Sequence, residues 1–109
     1  MATTYKVLGQ SNPAATTNTD LYTVGAGKSA VVSTISVCNQ AATAATFRIA
    51  IRPAGAAIAA QHYIAYGSTV AANDTTAFTI GVTLAATDII TVYASTTTLS
   101  FSAFGSEIA

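Results

Sequence analysis

Residues able to carry out acid–base or nucleophilic chemistry are scarce in this chain and far apart in sequence. His62 is the only histidine and Cys38 the only cysteine. A cysteine nucleophile needs a histidine beside it, and a histidine acting as general base needs a group that orients it. Neither residue has an acidic or basic neighbour in sequence. We therefore expect Cys38 to be a small buried hydrophobic residue, His62 to have a structural or surface role, and the protein not to be an enzyme.

The acidic residues do not form a metal-binding motif. Asp20, Asp74 and Asp88 each fall at a predicted turn or strand edge, where an Asp side chain bonds to nearby backbone. A calcium site would need several oxygen ligands at close spacing. Gly27-Lys28-Ser29 is similar to part of a phosphate-binding loop, but Tyr22 occupies the position of its first glycine and a strand pattern follows. We predict no metal ion and no other cofactor.

Arg48 and Arg52 are more informative, because both fall in the clearest alternation of the chain, residues 46–52. Successive side chains of a strand point to opposite faces, so the alternating apolar residues face the core and both arginines share the exposed face. Arginine is enriched at protein interfaces and binds carboxylates with two parallel hydrogen bonds. We predict that the pair anchors an interface; the alternative is that both arginines solvate an otherwise uncharged sheet.

Tyrosines provide a second group of candidate contact residues. A tyrosine has an apolar ring and a polar hydroxyl, a combination used in protein interfaces and in glycan binding. Four such residues follow position 20, namely Tyr22, Tyr63, Tyr66 and Tyr93. Tyr63 and Tyr66 join the two arginines as predicted interface residues, with a position at the edge of the core as the alternative.

The strand that organises the chain is predicted at residues 28–39, where β-branched residues favour extended backbone. By alternation, Val31, Ile35 and Val37 share one face. Val32 then lies on the other face. We therefore expect this strand to be apolar on both faces near its start, and to be covered from outside as well as inside.

The remaining elements follow from alternation and turn residues. Strands are predicted at 5–8, 20–24, 46–52, 75–84, 89–95 and 99–104, with residues 1–4 frayed. Segment 56–66 is ambiguous, because its alanines favour helix and its later residues favour strand; we expect a loop that becomes a strand near Gln61, with a single helical turn as the alternative. About eight short strands predict a single all-β domain over residues 1–109, an antiparallel β-sandwich of jelly-roll or immunoglobulin-like type.

Composition restricts the kinds of partner. Net charge is zero and 7% of the 109 residues are charged, against about 25% in typical proteins. We therefore expect no electrostatic attraction to nucleic acid or to a membrane, and a surface of small polar residues suited to permanent contact with fixed partners, copies of itself included. The N-terminal decapeptide lacks the pattern of a signal peptide, and no apolar run reaches membrane-spanning length.

Four stretches of the chain resemble small virion-associated structural proteins of tailed bacteriophages, of the kind found in phages of cyanobacteria. They are LYTVGAGKSAVVSTISVCN at 21–39, FRIAIRPAG at 47–55, HYIAYGSTVAANDTTAFTIGVTLAATDIITVYAS at 62–95 and SFSAFGSEI at 100–108. Relatives often have proline where this chain has Gly25, which loosens that turn without removing it. The resemblance implies a particle component without enzymatic activity or cofactor, and it supplies no functional residues to carry over.

The resemblance leads to three functional expectations. The first is a capsid decoration or cement protein on the virion surface, trimeric, which contacts the major capsid protein and itself. The second is a subunit of the tail, baseplate or fibre. The third is a glycan-binding module for host attachment, which would need exposed aromatic residues; the absence of tryptophan counts against it.

Overall fold

The structure, a computed structural model that describes residues 2–109, consists of two antiparallel sheets packed face to face. Its strands are β1 (Thr3–Ser11), β2 (Thr19–Thr23), β3 (Ser29–Asn39), β4 (Ala45–Arg52), β5 (Tyr63–Val70), β6 (Thr75–Phe78), β7 (Val82–Leu84), β8 (Ile89–Ala94) and β9 (Leu99–Ile108). Two short 3-10 turns, Pro53–Gly55 and Ala60–His62, lie between β4 and β5. Within the described range, none of the helical segments is long and apolar enough to cross a membrane.

The order of the strands is that of a jelly roll. The larger sheet has the order β1-β9-β3-β6, with β7 also paired to β3, and the smaller sheet has the order β2-β8-β4-β5. The chain therefore changes sheet after β1, β2, β3, β5, β7 and β8. In an immunoglobulin-like sandwich the first two strands share one sheet, whereas β1 and β2 lie in different sheets here. The predicted β-sandwich is confirmed, and of its two proposed types the topology matches the jelly roll.

Aromatic and aliphatic side chains from both sheets form the core. Phe47 of β4 meets Phe78 of β6 and Phe101 of β9 edge to face, with ring centres 5.8 and 6.2 Å apart. This geometry is favoured because the electropositive edge of one ring approaches the electronegative face of another. The three rings therefore tie the smaller sheet to the larger one.

β3 is the centre of the larger sheet, as predicted for residues 28–39. It pairs with β9 along one edge and with β6 and β7 along the other. A bulge at Ser33 adds one residue to its register with β9. Val32 before the bulge and Ile35 after it consequently both face the core, and Val31 points outward. The prediction that Val31 shares a face with Ile35 is wrong for this reason.

Asn39 is a buried polar residue at the end of β3, and its side chain is fully hydrogen-bonded. Its amide nitrogen reaches the carbonyls of Thr43, Val70 and Ala71 at 2.9–3.3 Å. Its oxygen accepts from the Ala41 amide and the Thr98 hydroxyl at 3.0 and 3.1 Å. Because an unpaired buried amide is costly, these bonds favour one arrangement of the loops at this end of the sandwich.

Both ends of the chain extend the larger sheet further than predicted. Residues 1–4 were expected to fray and the last strand to end at Phe104, but β1 begins at Thr3 and β9 continues to Ile108, directly opposite each other. Met1 lies outside the described residues. Backbone hydrogen bonds to a neighbouring strand extend both strands where the side chains have no apolar pattern.

Residues 75–84 form two strands instead of the single predicted one. β6 and β7 are separated by residues 79–81, and Gly81 has a φ of +65°. A left-handed residue of this kind interrupts an extended strand. Ile80 in this interruption is 60% exposed, whereas Phe78 and Val82 on either side of it pack against the core.

The ambiguous segment 56–66 contains both structures that were considered. Ala60–His62 forms a single 3-10 turn, and β5 begins immediately after it at Tyr63. The predicted loop that becomes a strand is therefore confirmed in outline, and the helical turn precedes the strand.

Candidate functional site

Outward side chains of the smaller sheet bring together three of the predicted interface residues and one further tyrosine. Arg48 of β4 lies in register with Tyr66 of β5 on one side and Tyr93 of β8 on the other. Its guanidinium carbon is 4.2 Å from the centre of each ring, within the range at which a cation is attracted to an aromatic face. Arg48 is thus held between two tyrosines. We call Arg48, Tyr63, Tyr66 and Tyr93 the Arg48 cluster.

A bulge in β5 is what adds Tyr63 to this cluster. Residues three apart in a regular strand point to opposite faces. The register of β5 against β4 skips Ile64, so Tyr63 and Tyr66 both face outward, and a second bulge follows at Gly67. The two tyrosine rings meet edge to face with their centres 4.9 Å apart. Each ring therefore limits the movement of the other.

An open depression of about 500 Å³ adjoins these rings. It is lined by Tyr63 and Tyr66 and by Ile58, Ala59 and Ala60 of the connection after β4. Small-molecule sites in proteins commonly have volumes of about 300–1,000 Å³. We call this feature the tyrosine depression.

His62 holds one wall of the tyrosine depression in place. The Ala59 amide donates a hydrogen bond to the ring Nδ1 of His62 at 3.0 Å, and the His62 amide donates to the Ala59 carbonyl at 3.1 Å. The imidazole is buried. Of the structural and surface roles expected for His62, these contacts correspond to the structural one.

Arg52 is engaged within the fold and does not extend the Arg48 cluster. Its guanidinium donates to the carbonyls of Gly55 and Ala56, the Thr91 hydroxyl and the Asp20 carboxylate, at 2.7–3.2 Å. The register of β4 turns Arg48 and Arg52 to the same side. Ala50 between them is nevertheless buried, so the surface between the two arginines is covered.

Cys38 lies half-buried on the outer face of the larger sheet, and the prediction of a buried cysteine is therefore wrong. Its neighbour Val37 faces the core, so the alternation of β3 turns Cys38 outward, in register with Thr75 and Ser100. Across residues 2–109, no three His, Cys, Asp or Glu side chains come together as a metal site would require.

A charged group joins the two sheets at one end of the sandwich. The Tyr22 hydroxyl donates to the Glu107 carboxylate at 2.7 Å, and the Nζ atoms of Lys6 and Lys28 lie 3.3 and 3.4 Å from that carboxylate. The hydrogen bond from Tyr22 is the largest cause of a lowered pKa for Glu107; burial opposes it, and Lys6 and Lys28 add to the lowering. Burial and the adjacent carboxylate raise the pKa of Tyr22. Tyr22 therefore connects β2 to β9 inside the fold.

The outer face of the larger sheet carries four exposed apolar residues drawn from three strands. Tyr5 and Val7 of β1, Val31 of β3 and Phe104 of β9 form what we call the apolar patch. Val7 is in register with Phe104, and Tyr5 and Val31 are both in register with Ser106. Tyr5 is 84% exposed. The apolar patch and the Arg48 cluster lie on the opposite outer faces of the sandwich.

These two surfaces offer different chemistry. The apolar patch can gain free energy when another surface covers it, without favouring one orientation. The Arg48 cluster provides a positioned cation and aromatic rings beside a concave surface. A scan against protein-family models, a search of curated proteins and a search of solved structures each found no match for the chain.

Proposed function

We propose that this protein is a structural component of the virion of a tailed bacteriophage and that it decorates the capsid. In this role it lies on the capsid surface, bridges neighbouring major capsid proteins and stabilises the head. It assembles with itself as a trimer and acts without enzymatic activity, cofactor, nucleic acid or membrane. The proposal is supported by the resemblance of the four stretches described above and by the apolar patch.

The apolar patch is the observation that carries the proposal. Large contiguous patches of exposed apolar surface are uncommon on monomeric proteins and mark sites of contact with other molecules. Burial contributes about 25 cal/mol per Å² of apolar area, and the cost of association offsets part of that gain. Many copies bound over one shell would add these modest contributions together. The patch is therefore the surface that we assign to protein contact.

The use of charged residues within the fold supports close association between copies. Lys6 and Lys28 contact Glu107, and Arg52 contacts Asp20. Charges satisfied inside the molecule contribute little repulsion when a second copy approaches. This arrangement is consistent with the low charge content from which self-association was predicted.

Binding to capsids that lack the protein tests the proposal. Wild-type protein is expected to bind such capsids and raise their resistance to heat. Val7→Asp is expected to abolish binding, because a carboxylate buried in the patch without a partner costs several kcal/mol. Ile80→Asp changes an exposed apolar residue outside the patch and is the matched control, expected to bind as the wild type does.

Two results of this experiment contradict the proposal. One is that capsids without the protein withstand heat as well as complete capsids do. The other is that Val7→Asp binds as strongly as Ile80→Asp.

A cryo-EM map of the intact particle provides the second test, since copies over the whole head support decoration. Copies confined to the tail would favour the tail, baseplate or fibre alternative instead.

A further inference from the structure

Arg48 and Arg52 differ in how their guanidinium groups are satisfied. Arg52 donates to four acceptors within the protein. Among residues 2–109, Arg48 has aromatic contacts but neither a side-chain hydrogen bond nor an ion pair. A guanidinium has five N–H donors, and a carboxylate is the partner that it binds with two parallel hydrogen bonds. Arg48 is therefore equipped to bind an anionic group from outside the molecule.

The tyrosines prepare Arg48 for such a ligand. Tyr66 and Tyr93 approach the guanidinium from neighbouring strands on either side of β4, each at 4.2 Å. Both rings contact the guanidinium, and within residues 2–109 its N–H donors have no side-chain hydrogen bond or ion pair, so they remain for a ligand. Because the side chain is already ordered, binding loses less conformational entropy than it would with a free arginine.

The tyrosine depression provides aromatic rings next to this cation. The Tyr66 ring contacts Arg48 and also lines the depression, and it is 63% exposed. Ile58 and Tyr63 also line the depression. A sugar ring has apolar C–H faces and a rim of hydroxyl groups, so it can lie against a tyrosine ring while its hydroxyls stay in water. The volume of about 500 Å³ accommodates a small ligand.

We propose that the Arg48 cluster and the tyrosine depression bind a sugar residue that carries a carboxylate, as in an acidic polysaccharide. The sugar ring lies against Tyr63 and Tyr66, and its carboxylate accepts hydrogen bonds from Arg48. The site is on the face opposite the apolar patch, so a copy bound to a capsid through that patch would present the site to the medium. The sugar-binding proposal stands or falls independently of the particle role.

Two other classes of ligand fit these observations less well. A nucleic acid strand carries a charge at every nucleotide and is bound by a stripe of basic residues, whereas Arg48 is one cation on a chain of zero net charge. A protein partner buries about 800 Å² on each side, which exceeds a depression lined by five residues.

Titration with a galacturonic acid trisaccharide, followed by amide chemical shifts in NMR spectra, tests the proposal. The wild type is expected to show shifts concentrated at residues 58–60 and 63–66. Arg48→Gln is expected to weaken binding at least about tenfold, because it removes a charge-assisted pair of hydrogen bonds. Lys28→Gln removes a lysine charge elsewhere and is the control, expected to bind as the wild type does. The spectrum of each variant also reports whether it is folded.

Comparison of acidic, neutral and phosphorylated sugars tests whether the site requires a carboxylate. A neutral galactose trisaccharide is expected to bind at least about tenfold more weakly than the galacturonate. Equal affinity for the two sugars, absence of shifts with the galacturonate, or tighter binding of galactose 6-phosphate would each overturn the carboxylate assignment. Should Arg48→Gln fail to fold, Arg48→Lys decides, since it retains the charge and loses the planar pair of donors. Unchanged affinity of that variant would contradict the role of the guanidinium.

Discussion

The two outer faces of this sandwich differ in what can cover them. The apolar patch offers apolar area but no directional contacts, because Tyr5, Val7, Val31 and Phe104 can pack against any complementary apolar surface. The Arg48 cluster offers directional hydrogen bonds over a small area, because one cation is held by two rings beside an open depression. A small protein with few charges can therefore keep two contact surfaces that select their partners by different physical means.

The two arginines make the same contrast within a single strand. Both leave β4 on the same side, yet the connection after β4 folds back and supplies carbonyl acceptors to Arg52. Arg48 meets aromatic rings, which attract a cation without accepting its hydrogen bonds in the usual geometry. The neighbours of a charged side chain thus decide whether it serves the fold or remains available for a ligand.

The largest expected effect concerns the close approach of β9 and β3 beneath the apolar patch. A Cβ atom at Gly105 would collide with the backbone carbonyl oxygen of Val31. We expect Gly105→Ala to lower the free energy of unfolding by about 3 kcal/mol in urea denaturation, because the two strands must move apart. Gly25→Ala is the control, since a Cβ there makes an ordinary contact with Lys28 Cδ at 3.5 Å.

The control variant should change stability by less than about 0.5 kcal/mol. A wild-type denaturation midpoint for Gly105→Ala would mean that β9 and β3 are further apart than described. The support that these strands give to the patch would then have to come from other contacts.

The next effect separates the two arginines. Arg52→Gln is expected to cost about 2 kcal/mol, because it weakens or removes several hydrogen bonds, among them one to the buried Thr91 hydroxyl. Arg48→Gln is expected to cost about 0.5 kcal/mol, the contribution of a partly exposed cation–aromatic contact. Urea denaturation of both variants measures the difference. Equal losses would show that Arg48 has a structural role like that of Arg52, and would weaken its assignment to ligand binding.

The elements of the fold were largely predictable from the sequence, because alternation and turn residues are local signals. The alternation of residues 46–52 correctly identified β4 and its buried Phe47 and Ile49. Which side chains of β3 face the core was not predictable, because the bulge at Ser33 reverses the alternation and depends on the pairing with β9. Strand order likewise depends on pairings between residues far apart in sequence.

The candidate surfaces were predictable only in part, for the same reason. Arg48, Tyr63 and Tyr66 were named in advance from their residue types, but their meeting required the bulge at Ile64 and the registers of three strands. Tyr93 was considered as a tyrosine and not as a partner of Arg48. The apolar patch is drawn from three strands, and each of its residues is unremarkable in its own segment.

The smallest expected effect is a dependence of stability on pH. It concerns the charged group of Glu107, Tyr22, Lys6 and Lys28, in which the hydrogen bond between Tyr22 and Glu107 joins the two sheets. The folded protein lowers the pKa of Glu107 from its ordinary value of 4.5. Glu107 therefore contributes stability that is present above that value and is lost as the pH falls through the lowered pKa. The folded protein raises the pKa of Tyr22 from its ordinary value of 10.0. That contribution is present below pH 10.0 and declines as the pH rises further.

Urea denaturation across the pH range should therefore show a plateau with a decline at each end. Glu107→Gln is expected to reduce the acid decline, and Tyr22→Phe to reduce the alkaline one, because each variant removes the group that titrates. Both effects should be smaller than that of Arg52→Gln, since the lysines of this group remain partly exposed and water and salt weaken their attraction. An acid decline that is unchanged in Glu107→Gln would contradict its assignment to Glu107. The contact between Glu107 and Tyr22 would then not contribute to the free energy of unfolding at acid pH.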